Sequence, residues 1–137
     1  MSVAIALSSV AGDPANGLDA TRTSLIVFGT LTLSANYGGA ATHGDTVDFT
    51  KLGISTDFTP KFVSINEQVA AGSAGSGYLY NFNYGTTLAN GVLNIKGSTN
   101  AAGQGGTEIT EGSAYSGFTP SLAGVVLNFM AIFVKQV

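Results

Sequence analysis

The sequence predicts an all-β protein: a jelly-roll-like β-sandwich or barrel of about eight strands with an extended N-terminal arm. Three observations predict it. Short runs alternate apolar and polar residues with period two. Loops rich in Gly, Ser and Asn separate the runs, and most of the 19 glycines fall in them. No apolar pattern of helical period lasts beyond one turn. A chain of 137 residues is one domain with room for a real core. It divides into an arm, 1–22, and a sandwich, 23–137.

Ser2 to Val10 alternates weakly, as an edge strand or extended tail would, and Asp13-Pro14-Ala-Asn16-Gly17 is turn chemistry. An apolar arm is expected to pack across its own sheet or on a neighbour, so Val3, Ile5 and Leu7 are candidate interface residues. From Ser24 to Tyr37 the set Leu25, Val27, Leu31, Leu33 alternates with polar residues after Phe28. Leu25 to Phe28 is apolar at every position, which fits a strand end covered on both sides or a bend at Gly29. Asp48-Phe-Thr-Lys-Leu-Gly53 reads as one capped helical turn stopped by glycine. Further strands are expected over Lys61–Gln68, Tyr78–Tyr84, Val92–Lys96 and Thr107–Thr110, with an Asn90-Gly91 turn. The run Val125 to Gln136 is expected to be central and buried on both faces around Val126, Phe129, Met130 and Phe133.

Five basic and eight acidic residues are the whole charge complement. Soluble domains carry about a quarter charged residues, and a monomer of this mass exposes roughly 6,600 Å². The surface is therefore mostly Ser, Thr, Asn, Gly and Ala, which suits a subunit covered by partners. A net charge of −3, a single Arg22 and dispersed Lys51, Lys61, Lys96 and Lys135 argue against nucleic acid, which needs clustered cations. With no cysteine, neither disulfide nor thiolate chemistry arises. Met1–Leu7 lacks the basic flank of a secretory signal, and the apolar stretch Leu122–Val134 is too short to span a bilayer, so neither export nor membrane insertion is expected.

Reactive constellations are sparse. His43, with Asp45 and Asp48 close in sequence, is the one candidate metal or acid–base group, but no second histidine or ligand spacing supports it. A catalytic triad would need this same histidine, and Gly75-Ser76-Gly77 does not join a strand to a helix. Paired carboxylates for glycoside hydrolysis have Asp45, Asp48, Asp57, Glu67, Glu108 and Glu111 to draw on, with no spacing that ties two together. Gly72–Gly77 and Gly97–Gly106 lack the lysine and helix of a phosphate cradle. No catalytic residue, metal or cofactor is expected. Tyr78, Tyr80, Phe82 and Tyr84 form an aromatic stripe that is either a half-buried sheet face or a contact surface, which makes the three tyrosines candidate interface residues.

Gly44-Asp-Thr-Val-Asp-Phe-Thr-Lys-Leu-Gly-Ile54, Tyr78-Leu-Tyr-Asn-Phe-Asn-Tyr84, Leu88-Ala-Asn-Gly-Val-Leu-Asn-Ile-Lys96, Gly106-Thr-Glu-Ile-Thr-Glu-Gly112 and the closing apolar strand follow one another in that order. That succession resembles the small head decoration or cementing proteins of tailed bacteriophages, over residues 24–137. The resemblance implies a subunit without an active site on the outer surface of a virion, made in the host cytoplasm. It would act as a dimer or trimer bridging major capsid proteins. Residues 2–17 would then reach a neighbour, and their deletion is expected to weaken particle binding while sparing the fold. A carbohydrate- or receptor-binding β-sandwich of a fibre or adhesin is the alternative. A surface-layer or pilus subunit would require an export signal.

Overall fold

The computed structural model describes residues 3–10, 23–38, 43–97 and 106–136. Eight strands lie among them: β1 (Val3–Val10), β2 (Ser24–Leu33), β3 (Asp45–Val47), β4 (Phe58–Glu67), β5 (Leu79–Asn83), β6 (Gly91–Gly97), β7 (Thr107–Glu108) and β8 (Val126–Lys135). They form two antiparallel sheets facing one another as a β-sandwich. The first has the order β1-β2-β8-β4; the second has the order β3-β6-β5, with β7 also on β6. From β2 to β5 the chain alternates between sheets at every step, and β8 returns to lie beside β2. That winding is jelly-roll-like.

Alternation decides what each strand buries. In β2 the positions Leu25, Val27, Leu31 and Leu33 are buried, and in β8 so are Leu127, Phe129, Ala131 and Phe133. Leu93 and Ile95 of β6 meet them from the second sheet. Between β3 and β4 the chain makes the expected single turn, a 3₁₀ segment over Phe49–Leu52. The Asp48 carboxylate accepts from the Thr50 amide at 3.0 Å, and Gly53 closes the turn at φ 76°. This turn drives Phe49 between the sheets, edge-on to Phe129 and Phe133 at 5.7 and 5.1 Å and tilted against Phe82 at 5.7 Å.

Three expectations are revised. β8 is central, but only one face is buried; Val126, Met130, Ile132 and Val134 are half-covered because, among the described residues, no further layer lies outside the sheet. The all-apolar start of β2 has the same basis, with Ile26 and Phe28 facing outward. Asn90-Gly91 is not a two-residue hairpin. Asn90 organises a longer loop by accepting from the Thr87 amide at 2.8 Å, and Gly91 opens β6 where a Cβ would strike the Phe82 ring.

Val3–Val10, which sequence leaves between an edge strand and a tail, is the edge strand β1, paired antiparallel with β2 from Val3↔Leu33 to Val10↔Val27. Both outer edges of this sheet carry bulges, at Leu7/Ser9 in β1 and at Pro60/Phe62 in β4. Bulges and an edge proline discourage uncontrolled strand pairing.

Candidate functional site

The outer face of the four-stranded sheet is built by register. Ile26, Ile132 and Phe62 lie side by side across β2, β8 and β4; Phe28, Met130 and Ser64 form the next row; Thr30, Asn128 and Asn66 the one after. With Val134 and Thr59 at one end and Thr32 and Val126 at the other, none of the paired positions in these rows carries a charge. Lys61, the extra residue in the β4 bulge, is exposed at the β4 edge beside Phe62. Ile26, Phe28 and Phe62 are 41%, 39% and 44% exposed. The result is an apolar half centred on Ile132 beside a neutral Thr/Asn/Ser half.

The paired rows shed water at little cost, since none of them holds an ion to be desolvated. Four strands spaced ~4.8 Å and rising ~3.3 Å per residue give a surface on the order of 500 Å². That is the order of magnitude of the ~800 Å² each partner contributes to a standard interface.

The candidate interface residues from sequence lie elsewhere. Ile5 is half-buried and packs on the core; the side chains of Val3 and Leu7 lie outside the described residues, while their backbones pair with Leu33 and Gly29. Tyr80 and Phe82 stand opposite Ile95 and Leu93 and pack against the core, as does Tyr78, whose hydroxyl donates to the Thr119 carbonyl at 3.3 Å. Tyr84 is half-exposed. Its ring meets Phe82 edge-on, and its hydroxyl accepts from the Val63 amide at 2.9 Å, tying β4 to the end of β5.

Tyr80 lies in a small polar network in which its hydroxyl is 2.8 Å from Ser76 Oγ, and the Ser76 amide donates to Glu67 at 3.0 Å. Burial above all, with the Glu67 charge adding to it, pushes its phenol up to about 12. The unfolded chain releases that proton near pH 10 while the folded chain keeps it, so stability present below pH 10 is lost as pH climbs toward 12. A tyrosinate absorbance titration is expected to show part of the signal rising late. A smaller late portion in Tyr80→Phe, with the Tyr37 contribution remaining, checks the assignment.

His43, Asp45 and Asp48 do not assemble into one site. Asp48 caps the 3₁₀ turn. Asp45 points inward from β3, is fully buried and accepts a hydrogen bond from the buried Tyr115 hydroxyl. His43 instead meets Glu111, Nδ1 to Oε1 at 3.0 Å, and Glu108 lies beside both. Ser76 bonds Glu67 and Tyr80 rather than an imidazole.

Sequence reading missed the feature that organises this corner, the Tyr37 phenol. β3 and β7 share one edge of β6 and leave a gap at Ile95. The fully buried Tyr37 fills it, accepting from the Ile95 amide at 3.1 Å and donating to Glu108 Oε1 at 2.8 Å. Burial, with the nearby Glu108 and Asp45 charges, raises its phenol well above the usual range.

No family model, curated protein or solved structure matches the chain. Among the described residues no helix is long and apolar enough to cross a membrane.

Proposed function

We propose that this chain is a structural subunit that works through contact area, and that the outer face of the β1-β2-β8-β4 sheet is its docking surface. The observation that carries this reading is the set of uncharged paired rows on that face, with Ile26, Phe28 and Phe62 exposed around Ile132. A monomer gains nothing from keeping these apolar groups wet, whereas an assembly gains their burial, worth about 25 cal/mol per Å².

The finer reading is a decoration or cement subunit on the outer surface of a tailed-phage head. Acting as a dimer or trimer, it bridges major capsid proteins and performs no catalysis. Its support is the resemblance of residues 24–137 to that class, together with the low charge of the whole chain. Modest affinity per subunit suffices where many copies act on one shell.

The test is Ile26→Lys combined with Phe62→Lys, both at exposed positions, so folding should persist. Co-sedimentation with heads assembled without this protein is expected to weaken at least thirtyfold, about 2 kcal/mol. A double variant that keeps its melting temperature and decorates heads as well as the parent does contradicts the reading.

One observation favours a glycan- or receptor-binding module instead. A cleft of about 430 Å³ is lined by Thr59, Pro60, Lys61, Tyr84, Gly85, Thr86 and Gln136, with an aromatic ring and several polar groups suited to a sugar. Saturable glycan binding abolished by Tyr84→Ala would establish that role.

A further inference from the structure

His43, Glu108 and Glu111 come from two segments more than sixty residues apart in sequence, and their ligand atoms lie within 4.8 Å of one another. We propose that these three side chains form a binding site for a borderline divalent cation of the zinc class, at the gap between β3 and β7. The proposal is independent of the outer sheet face and of any partner docked there.

The donor set suits that chemistry. Zinc takes imidazole nitrogen and carboxylate oxygen at about 2.0–2.2 Å, which places neighbouring ligand atoms on the order of 3–4 Å apart. The His43–Glu111 separation of 3.0 Å already falls near that spacing. Calcium and magnesium favour sites built wholly of oxygen, so the imidazole selects against them.

The surroundings add a supporting shell. The buried Tyr37 hydroxyl, held in turn by the Ile95 amide, donates to Glu108 and fixes its orientation. Carboxylates that ligate metals are commonly oriented by such a bond. His43 is 73% exposed and offers an ion an open approach.

Charge balance points the same way. Glu108 and Glu111 are close enough to repel, and the buried Asp45 lies near enough to act on Tyr37 alongside Glu108. Lys96 is the cross-strand partner of Glu108, yet among the described residues the side-chain contact recorded in this corner is the one between His43 and Glu111. Asn94, beneath the same loop, donates to the His43 carbonyl at 3.1 Å, and its own buried amide oxygen has no hydrogen-bond partner among the described residues. The corner is rich in oxygen acceptors, with Lys96 the one lysine in register beside them.

An ion here would clip the turn leading into β3 to β7 and to the turn after it. The unfolded chain competes weakly, because it has one histidine and no cysteine. For the same reason, any imidazole-dependent binding must run through His43.

The test is isothermal titration of the full chain with zinc chloride, with magnesium and calcium chlorides as controls, repeated on His43→Ala and Glu111→Gln. One zinc per chain is expected, with a melting temperature that rises and saturates with zinc, and a shift of the single imidazole resonance. Each variant is expected to lose at least tenfold in affinity while keeping the metal-free melting temperature of the parent. No saturable zinc uptake by about 1 mM, or uptake that is unchanged in His43→Ala, would overturn the assignment.

Discussion

Phe49→Ala is expected to lower stability by about 3–5 kcal/mol, and the melting temperature by roughly 10–20 °C. Phe49 is the single ring that touches aromatic groups of both sheets: Phe82 on one side, Phe129 and Phe133 on the other. It is fully buried and sits on a turn whose start is held by the Asp48 cap and by the hydrogen bond from its own amide to the Leu88 carbonyl at 2.9 Å, and whose end is closed by Gly53. Neither sheet can collapse readily into the void, because each is held by its strand register, so the cavity term adds to the lost transfer energy. Calorimetry or thermal circular dichroism checks this. A loss below about 1 kcal/mol would mean that the centre of the sandwich lies elsewhere.

Tyr37→Phe removes one oxygen and should cost about 1–3 kcal/mol, because the Ile95 amide is left without its acceptor in a buried setting. Glu108 loses its hydrogen-bond donor at the same time. The effect is local before it is global: the Ile95 amide is expected to exchange with solvent much faster in the variant, while amides at the β2–β8 pairing keep their protection. Native-state hydrogen exchange reads both. Equal protection of Ile95 in variant and parent would show that the phenol does not hold the β3–β7 gap.

The two predictions differ in how visible their basis is in the sequence. The turn that carries Phe49 is legible, since Asp48, the Phe49/Leu52 spacing and Gly53 state a capped single turn locally. Strand alternation in β2 and β8 is equally legible. Whether the second face of those strands is covered is not. An apolar residue at Ile26 or Met130 reads the same whether it meets another layer of its own chain, a partner or water, and only the strand order shows that no described element of this chain lies outside the sheet.

The membership of the histidine corner is hidden from sequence for a related reason. Asp45 and Asp48 are near His43 in sequence, but alternation along β3 turns Asp45 inward and the following turn claims Asp48. The true neighbours, Glu108 and Glu111, are brought in by register on β6. Tyr37 carries no local signal of its role, because the gap it fills exists only once β3 and β7 are both in place.

The aromatic stripe shows the converse. Period two correctly grouped Tyr80 and Phe82 on one face, yet the pattern alone cannot tell inward from outward. Their register against Ile95 and Leu93 places them toward the core, whereas Tyr84 lies past the end of β5 and stays half in water.

Hydroxyl-radical footprinting of Phe28, Phe62 and Met130, in the free chain and in the assembled particle, tests the contact account most directly. These side chains are reactive and lie within the apolar half of the outer face. Strong protection of all three on assembly, with Tyr84 as reactive as before, is the expected result. Labelling of Phe28, Phe62 and Met130 that is the same in both states would contradict it.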